Sequence, residues 1–277
     1  MADGNILITG ASTGIGRACA LRFAGLGYRT FAGVRKASDG EALRAESSGK
    51  LEPVLLDVTR PDLIDGAAAA VGDQPLAGLI NNAGVAVLGP LELLPLDAWR
   101  RQFEVNVIGL AAVTQAFLPH LRRGRGRIVN VGSIAGRSAL PGTGAYDSTK
   151  FAVEAITDVL RMELHRWGIS VSLIEAGAVA TAIWAKSLRE AEELSRRVGP
   201  ERYALYGGLM KAVREESAEA ARTALPAAAV VRAVEHALTA RRPRTRYLVG
   251  RDAWFWWLLT FLPDRWRDRL ILGKIRE

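Results

Sequence analysis

The chain has 277 residues, 49% of them apolar and 24% charged, with a net charge of +8. Those proportions exclude a disordered or collagen-like chain and provide for one large core, so a single α/β domain is the first expectation at this length. A lone cysteine, Cys19, excludes an intramolecular disulfide, and no CxxC pair or histidine cluster marks a metal. A reducing, cytoplasmic setting fits that usage, and the opening MADGNILITG lacks the basic and apolar runs of a signal peptide. The positive charge suits an anionic partner, whether nucleic acid, membrane surface or phosphorylated cofactor, and its sign alone does not choose.

In chain order, an apolar run at 5–9 leads through Gly10, Gly14 and Gly16 into a helical pattern at 17–26, which reads as strand, glycine turn, helix. Strand-like 28–34, 54–56 and 79–80 alternate with helical 40–45 and 62–71. A long helical stretch covers 96–122, followed by strand 127–131, helix 145–167, strand 169–174, helix 226–240 and a seventh candidate strand at 246–249. Such alternation predicts crossover units and a doubly wound, Rossmann-type parallel sheet of six or seven strands with helices on both faces. Residues 1–250 are expected to form one catalytic domain, with 182–224 as a lid inserted over the ligand edge and 251–277 as an aromatic, basic tail.

The glycine turn is spelled Thr9-Gly10-Ala11-Ser12-Thr13-Gly14-Ile15-Gly16, spaced GxxxGxG. Glycines there let the backbone approach a pyrophosphate, whose charge the unpaired N–H groups of a helix start stabilise. A structural glycine turn is the plainer alternative. Tyr146 and Lys150, at i and i+4, share one helix face. A nearby ammonium lowers a phenol's pKa from about 10 and tunes it for proton transfer, although this spacing also occurs by chance on many helices. Ser133 follows the strand at 127–131, and Asn81-Asn82-Ala83-Gly84 follows that at 79–80, so both fall at carboxyl strand ends, where open α/β sheets bind ligands. Asn106 falls inside a helical stretch, where an amide is an indifferent helix former.

TGASTGIG, Asp57-Val58, NNAG, Asn106, Ser133 and YDSTK, in this order, resemble the short-chain dehydrogenase/reductase family over residues 5 to about 180. The resemblance implies hydride transfer between a nicotinamide dinucleotide and a carbonyl or secondary alcohol. Tyr146 would donate the proton, Ser133 would bind the carbonyl oxygen, Lys150 would bind the nicotinamide ribose and lower the tyrosine pKa, and Asn106 would hold a water leading from Lys150 to solvent. The dinucleotide would be held by Gly10, Ser12, Thr13, Gly14, Ile15 and Gly16, by Asp57 and Val58 at the adenine, by Asn82, Ala83 and Gly84, and by Tyr146 and Lys150; Asn81 would border the adenosine ribose. Gly177, Val179 and Thr181 would meet the nicotinamide. The family usually places Pro-Gly after the sixth strand, whereas this chain reads Glu175-Ala176-Gly177, without proline's fixed φ.

Enzymes of this kind that prefer NAD usually carry an acid at the end of the second strand. Here Val34 is followed by Arg35 and Lys36, and Arg35 can make charge-assisted hydrogen bonds to a 2′-phosphate, so NADP (NADPH) is expected over NAD unless Arg35 is merely a solvated charge. FAGVRK and the basic, aromatic tail resemble the hydroxysteroid and retinol dehydrogenase-like branch, which implies a lipophilic steroid-, retinoid- or long-chain-like substrate. A non-catalytic dinucleotide sensor and a reductase of small bulky ketones are the alternatives.

Ile183, Trp184, Leu188, Leu194, Tyr203, Leu205, Tyr206, Leu209 and Met210 either line a substrate cavity or pack the lid onto the sheet. The tail, with Trp254, Phe255, Trp256 and Trp257 among arginines, is too short in apolar residues to span a bilayer. It can lie on a membrane surface, cap the pocket or pack on a second subunit. A homodimer or homotetramer through the two long helices is implied by the resemblance. His120, His165 and His236 are read as structural and Cys19 as a small buried hydrophobe. The run from Arg122 to Arg127 reads as a solvated turn, with no nucleic-acid partner, because no aromatic residue interleaves it.

Overall fold

A computed structural model of the chain describes residues 4–48 and 50–273. Seven strands, β1 (Asn5–Ile8), β2 (Arg29–Val34), β3 (Leu51–Leu55), β4 (Leu76–Asn81), β5 (Arg127–Val131), β6 (Ser170–Ala176) and β7 (Arg246–Val249), form one parallel sheet in the order β3-β2-β1-β4-β5-β6-β7. The strands are mostly buried, as expected of parallel strands covered on both faces. β3 begins three residues earlier than its sequence pattern suggests. Pro53 interrupts that pattern, yet an edge strand tolerates the missing N–H.

On one face pack α1 (Gly14–Gly25), α2 (Ala37–Glu46) and, from late in the chain, Ala227–Thr239. On the other pack α3 (Pro61–Val71) and the long central helices. After β3 the chain crosses to the far side of β1, so the connections leaving the paired strands β1 and β4 run to opposite faces of the sheet at their carboxyl ends, the topological switch point where such sheets take ligands.

The stretch read as one helix from residue 96 is two, α4 (Leu96–Phe103) and α5 (Gly109–Gly124), joined by a wide π turn over Glu104–Ile108. A π turn rotates the residues it contains relative to an α-helix and is frequent at functional sites. Here it buries Asn106 beside β4. α6 (Gly144–Glu163) follows β5, and residues 182–224 fold into α7 (Ile183–Val198), α8 (Pro200–Ala204) and α9 (Gly207–Thr223). The helix at Ala227–Thr239 is α10, and α11 (Arg251–Leu259) and α12 (Asp264–Leu272) complete the described chain. No described helix is long and apolar enough to cross a membrane.

Candidate active site

At the end of β1 the chain turns through Gly10 and Gly14, whose φ angles of 64° and 58° lie in the left-handed region that favours glycine. A Cβ on Gly16 would lie 2.3 Å from the Gly10 carbonyl oxygen, so the turn closes this tightly only with glycine there. Thr13 caps α1 without a side-chain hydrogen bond, and the helix's first N–H groups face the crevice mouth formed by the turn. Ser12 and Ile15 are half-buried and Thr13 is exposed on the same turn.

The turn is fixed from β4. Asn82 donates through Nδ2 to the Thr9 and Gly10 carbonyls at 3.0 and 3.1 Å, and Thr9 Oγ1 accepts from the main-chain N–H groups of Asn82 and Ala83 at 2.9 and 3.0 Å. Thr9 is thus a positioning residue that the sequence reading missed, although it stood directly before the first glycine. Asn81 does not reach the crevice through its side chain. It is buried and donates to Thr114 and Asn130 at 3.0 and 2.9 Å, inside a polar cluster that Asn130 extends to Thr157. The expected ribose contact of Asn81 is corrected accordingly: strand alternation turns the residue before Asn82 into the layer between β4 and α5.

Beyond Gly84 lies Asn106. Its Oδ1 accepts from Val85 N–H at 2.9 Å, while Nδ2 donates to the Val85 carbonyl at 2.9 Å and to Thr149 Oγ1 at 3.0 Å. The π turn is therefore locked both to the strand-end loop and to α6. With both amide hydrogens used, the side chain has no donor left for a water, and it could meet one only as an acceptor, through the second lone pair of Oδ1.

Ser133 follows β5 and Tyr146 stands in the first turn of α6. The two side chains share a hydrogen bond, and Ser133 Oγ also lies 3.3 Å from the Ala176 carbonyl. Lys150, one helical turn on, is buried; its Nζ lies 5.6 Å from the Tyr146 ring centroid and donates to the Val131 carbonyl at 3.0 Å. Thus Ser133, Tyr146 and Lys150 meet at the ends of β5 and α6, with Asn106 tied to them through Thr149.

The electrostatics differ from the expectation. Loss of water around the phenol pushes Tyr146 up to about 12, against the pull of the Ser133 hydrogen bond, with neighbouring Asp147 adding to the rise. Burial brings Lys150 down to about 8. Burial, which disfavours both charged forms, outweighs the attraction of the pair for a phenolate, so the expected lowering of Tyr146 is not produced by the chain's own residues. Asp147 is itself pushed up to about 7 by burial, while accepting from Leu140 N–H at 2.8 Å and Thr143 Oγ1 at 2.7 Å; it ties the loop before α6 to the helix that carries Tyr146.

At the far end, Arg35 directly follows β2, is exposed, and meets no carboxylate among the described residues. Asp57 lies two residues past β3 with Oδ1 held by Thr59 N–H and hydroxyl at 3.0 and 2.8 Å, and Val58 is buried against Gly109. After β6, Gly177, Val179 and Thr181 return to the crevice: the Thr181 side chain lies 3.1 Å from where a Cβ of Gly14 would stand. The segment after β6 thus comes up against the glycine turn through Thr181. This segment is held by Asp252 of α11, whose Oδ2 accepts from Ala178 N–H at 2.6 Å, a contact that no local sequence signal marks.

Several lid side chains pack instead of standing open. Leu194 is buried with Val87, Leu94 and Ala145, and Met210 with Leu88, Ala191 and Val213; Tyr203, Tyr206 and Leu209 lean on the second group, while Leu205 is exposed. The side chain of Trp184 lies outside the described residues. Ser187 Oγ donates to the Ala86 carbonyl at 2.7 Å, so α7 is fastened to the loop after β4. His120 pairs with the Gly72 carbonyl and His236 with the Tyr247 hydroxyl, both at 2.8 Å. Cys19 is buried, its thiol pushed up to about 12. Arg122 stacks on Trp167, and Arg127 donates to the carbonyls of Ala237 and Ala240 at the end of α10.

The family profile of short chain dehydrogenases matches residues 4–192. Retinol dehydrogenase 5 of Homo sapiens is 38% identical over 279 residues, covering 96% of this chain and 87% of that protein. The 17-beta-hydroxysteroid dehydrogenase type 6 of Bos taurus is 36% identical over 285 residues, covering 97% and 88%. An NADPH-dependent 3-dehydrocapnine reductase of Ornithobacterium rhinotracheale is 32% identical over 281 residues, covering 98% and 97%. Among solved structures, a short chain dehydrogenase/reductase from Burkholderia phymatum in complex with NAD is 29% identical with a TM-score of 0.75, covering 88% of this chain and 89% of that one. One from Burkholderia cenocepacia in complex with NADP is 26% identical with a TM-score of 0.73, covering 98% and 97%. With its seven-stranded doubly wound sheet and this cleft, the chain belongs to the short-chain dehydrogenase family, as an NAD(P)-dependent oxidoreductase of the retinol and hydroxysteroid dehydrogenase-like branch.

Proposed function

We propose that the protein is an NADPH-dependent reductase of a lipophilic carbonyl compound. The observation that carries this reading is the Tyr146 phenol, hydrogen-bonded to Ser133 and beside Lys150, at the same carboxyl edge of the sheet as the glycine turn. The residues fit a dinucleotide: left-handed glycines and an uncapped helix start suit its pyrophosphate, Gly10, Ser12, Thr13, Gly14, Ile15 and Gly16 would hold it, and Asp57, Val58, Asn82, Ala83 and Gly84 would border the adenosine half. Exposed Arg35, without an acid beside it, favours a 2′-phosphate. Lys150 would hold the nicotinamide ribose, with Gly177, Val179 and Thr181 beyond it. When bound, the dinucleotide supplies the hydride. Tyr146, protonated at neutral pH, would give its proton to a carbonyl oxygen that Ser133 also bonds, although burial alone makes the phenol a weaker acid. Asn106 would hold the water that resupplies the proton.

The lipophilic substrate class is supported by the names of the relatives and by the apolar lid. Exposed Phe151, Val159 and Met162 on α6, with Ile108 beside them, support a homodimer or homotetramer, and the exposed aromatic tail supports contact with a membrane surface. The test is reduction of a steroid ketone, retinal and a small bulky ketone with NADPH and with NADH. A lower KM for NADPH and turnover of a lipophilic substrate are expected. Tyr146→Phe should cut turnover by about 10²- to 10⁴-fold while NADPH binding changes little. Full activity of that variant, or preference for NADH and small polar carbonyls, would refute the reading.

A further inference from the structure

We infer that Asp252, on the first turn of α11, is a positioning residue that shapes the nicotinamide end of the cleft. This rests on the proposal that residues 177–181 meet the nicotinamide half of the dinucleotide, and it adds that the tail supplies part of the site.

The segment has little stiffness of its own. Ala176 and Gly177 leave it without a proline's fixed φ, and glycine is the most permissive residue in the chain. Its shape is imposed by hydrogen bonds from elsewhere. Gly177 N–H donates to the Val249 carbonyl at 2.9 Å as β6 leaves the sheet. Ala180 N–H donates to the Leu225 carbonyl, and Leu225 N–H to the Ala178 carbonyl, both at 2.9 Å. Between these main-chain ties, Ala178 N–H meets the Asp252 carboxylate at 2.6 Å, a charge-assisted bond and the strongest kind available to it.

An acid in the first turn of α11 favours that helix through its dipole alone. Helix stabilisation does not account for where the carboxylate lies. Both oxygens are 2.2 Å from the position a Cβ of Gly177 would take, and Oδ1 is 2.4 Å from that of Gly250, so the group fills a notch that exists because two glycines face it. Ala253 beside it is fully buried, which keeps the start of α11 against the sheet. The contact therefore joins the tail to the wall that carries Val179 and Thr181, and Thr181 lies directly across from Gly14. Without the carboxylate, Ala178 N–H would lose its partner and residues 178–181 would be held by the flanking main-chain bonds alone, loosening the nicotinamide end of the site and leaving its adenine end untouched.

The test separates the two halves of the ligand. Binding of NADPH and of adenosine 2′,5′-bisphosphate, which lacks the nicotinamide half, is measured for the full-length wild type, Asp252→Ala and Asp252→Asn. The alanine variant should bind NADPH about tenfold more weakly, the scale of one charge-assisted hydrogen bond, with bisphosphate affinity within about twofold of wild type. The asparagine variant, which keeps an acceptor for Ala178 N–H, should restore most of the NADPH affinity. Equal losses for both ligands, no loss for either, or no rescue by asparagine would overturn the assignment. If the alanine variant does not fold, Asp252→Gln, which carries the same amide one carbon further, takes its place against asparagine with the same outcomes. A wild type that binds NADH in preference to NADPH defeats the cofactor proposal alone, and the comparison is then made with NADH and AMP.

Discussion

Lys150 pays for its position in stability. Its ammonium is buried with, among the described residues, one hydrogen bond, to the Val131 carbonyl, and burial brings its pKa down from 10.5 to about 8. A base with a depressed folded pKa contributes stability that is present above its unfolded pKa and lost as pH falls through the folded one, so at neutral pH the charged lysine costs the fold up to about 3 kcal/mol. Lys150→Met removes that cost but orphans the Val131 carbonyl, at about 1 kcal/mol. The net expectation is a variant without turnover that is more stable by about 2 kcal/mol at pH 7, an advantage that fades by pH 10.5. Thermal unfolding without added dinucleotide at the two pH values checks this; a variant less stable at pH 7 would mean that the ammonium is better satisfied than its burial suggests.

Between elements, the catalytic helix is fastened to the sheet by charge. Arg246 of β7 donates to Glu154 at 2.9 Å and to Asp158 at 2.8 Å on α6, and lies 3.6 Å from Glu175 of β6, which Arg137 also meets. Burial and the neighbouring Glu175 push Glu154 up to about 7, so its contribution is complete below its unfolded pKa and is lost as pH rises toward 7; Asp158, held near 2 by Arg246, contributes above its unfolded pKa and loses it as pH falls. Arg246→Met would leave Glu154 and Glu175 with Arg137 alone. A destabilisation of about 3 kcal/mol at pH 8, smaller at pH 5.5 where Glu154 takes a proton, is expected from urea unfolding. An equal loss at both values would place the effect in packing. None of this cluster stood out in the sequence, because its members lie on α6, β6, β7 and the loop after β5, far apart along the chain. The glycine turn, the Asn82 loop, Ser133 and the Tyr146 helix were legible for the opposite reason: each is a contiguous motif at a strand end, and a doubly wound sheet gathers its carboxyl ends at one edge. The π turn escaped notice because its hydrophobic pattern continues that of the helices beside it, as did Asp252, some seventy residues from the loop it holds.

Taken whole, the molecule collects exposed apolar side chains at its C-terminal end. Trp254, Phe255, Leu258, Phe261, Trp266 and Leu270 are all about half exposed or more on α11, α12 and the turn between them, among Arg251, Arg265 and Arg269 on a chain of net charge +8. Aromatic rings with interspersed arginines suit the headgroup layer of an anionic bilayer, where the rings enter the interface and the guanidinium groups meet phosphate. Deleting the tail is the wrong test of that reading, since it would also remove Asp252 from the cleft. Trp254→Ser with Trp266→Ser keeps the clamp and strips two exposed rings, each worth on the order of 1.5 kcal/mol or more when buried. Partitioning onto phosphatidylcholine vesicles containing phosphatidylglycerol should fall by at least about tenfold in the double variant and weaken for the wild type in high salt, which screens the arginines. Turnover of a water-soluble ketone should stay unchanged. Wild-type protein that ignores both anionic and neutral vesicles would defeat the membrane contact, and a change in sedimentation of the double variant would instead assign these rings to a second copy of the chain.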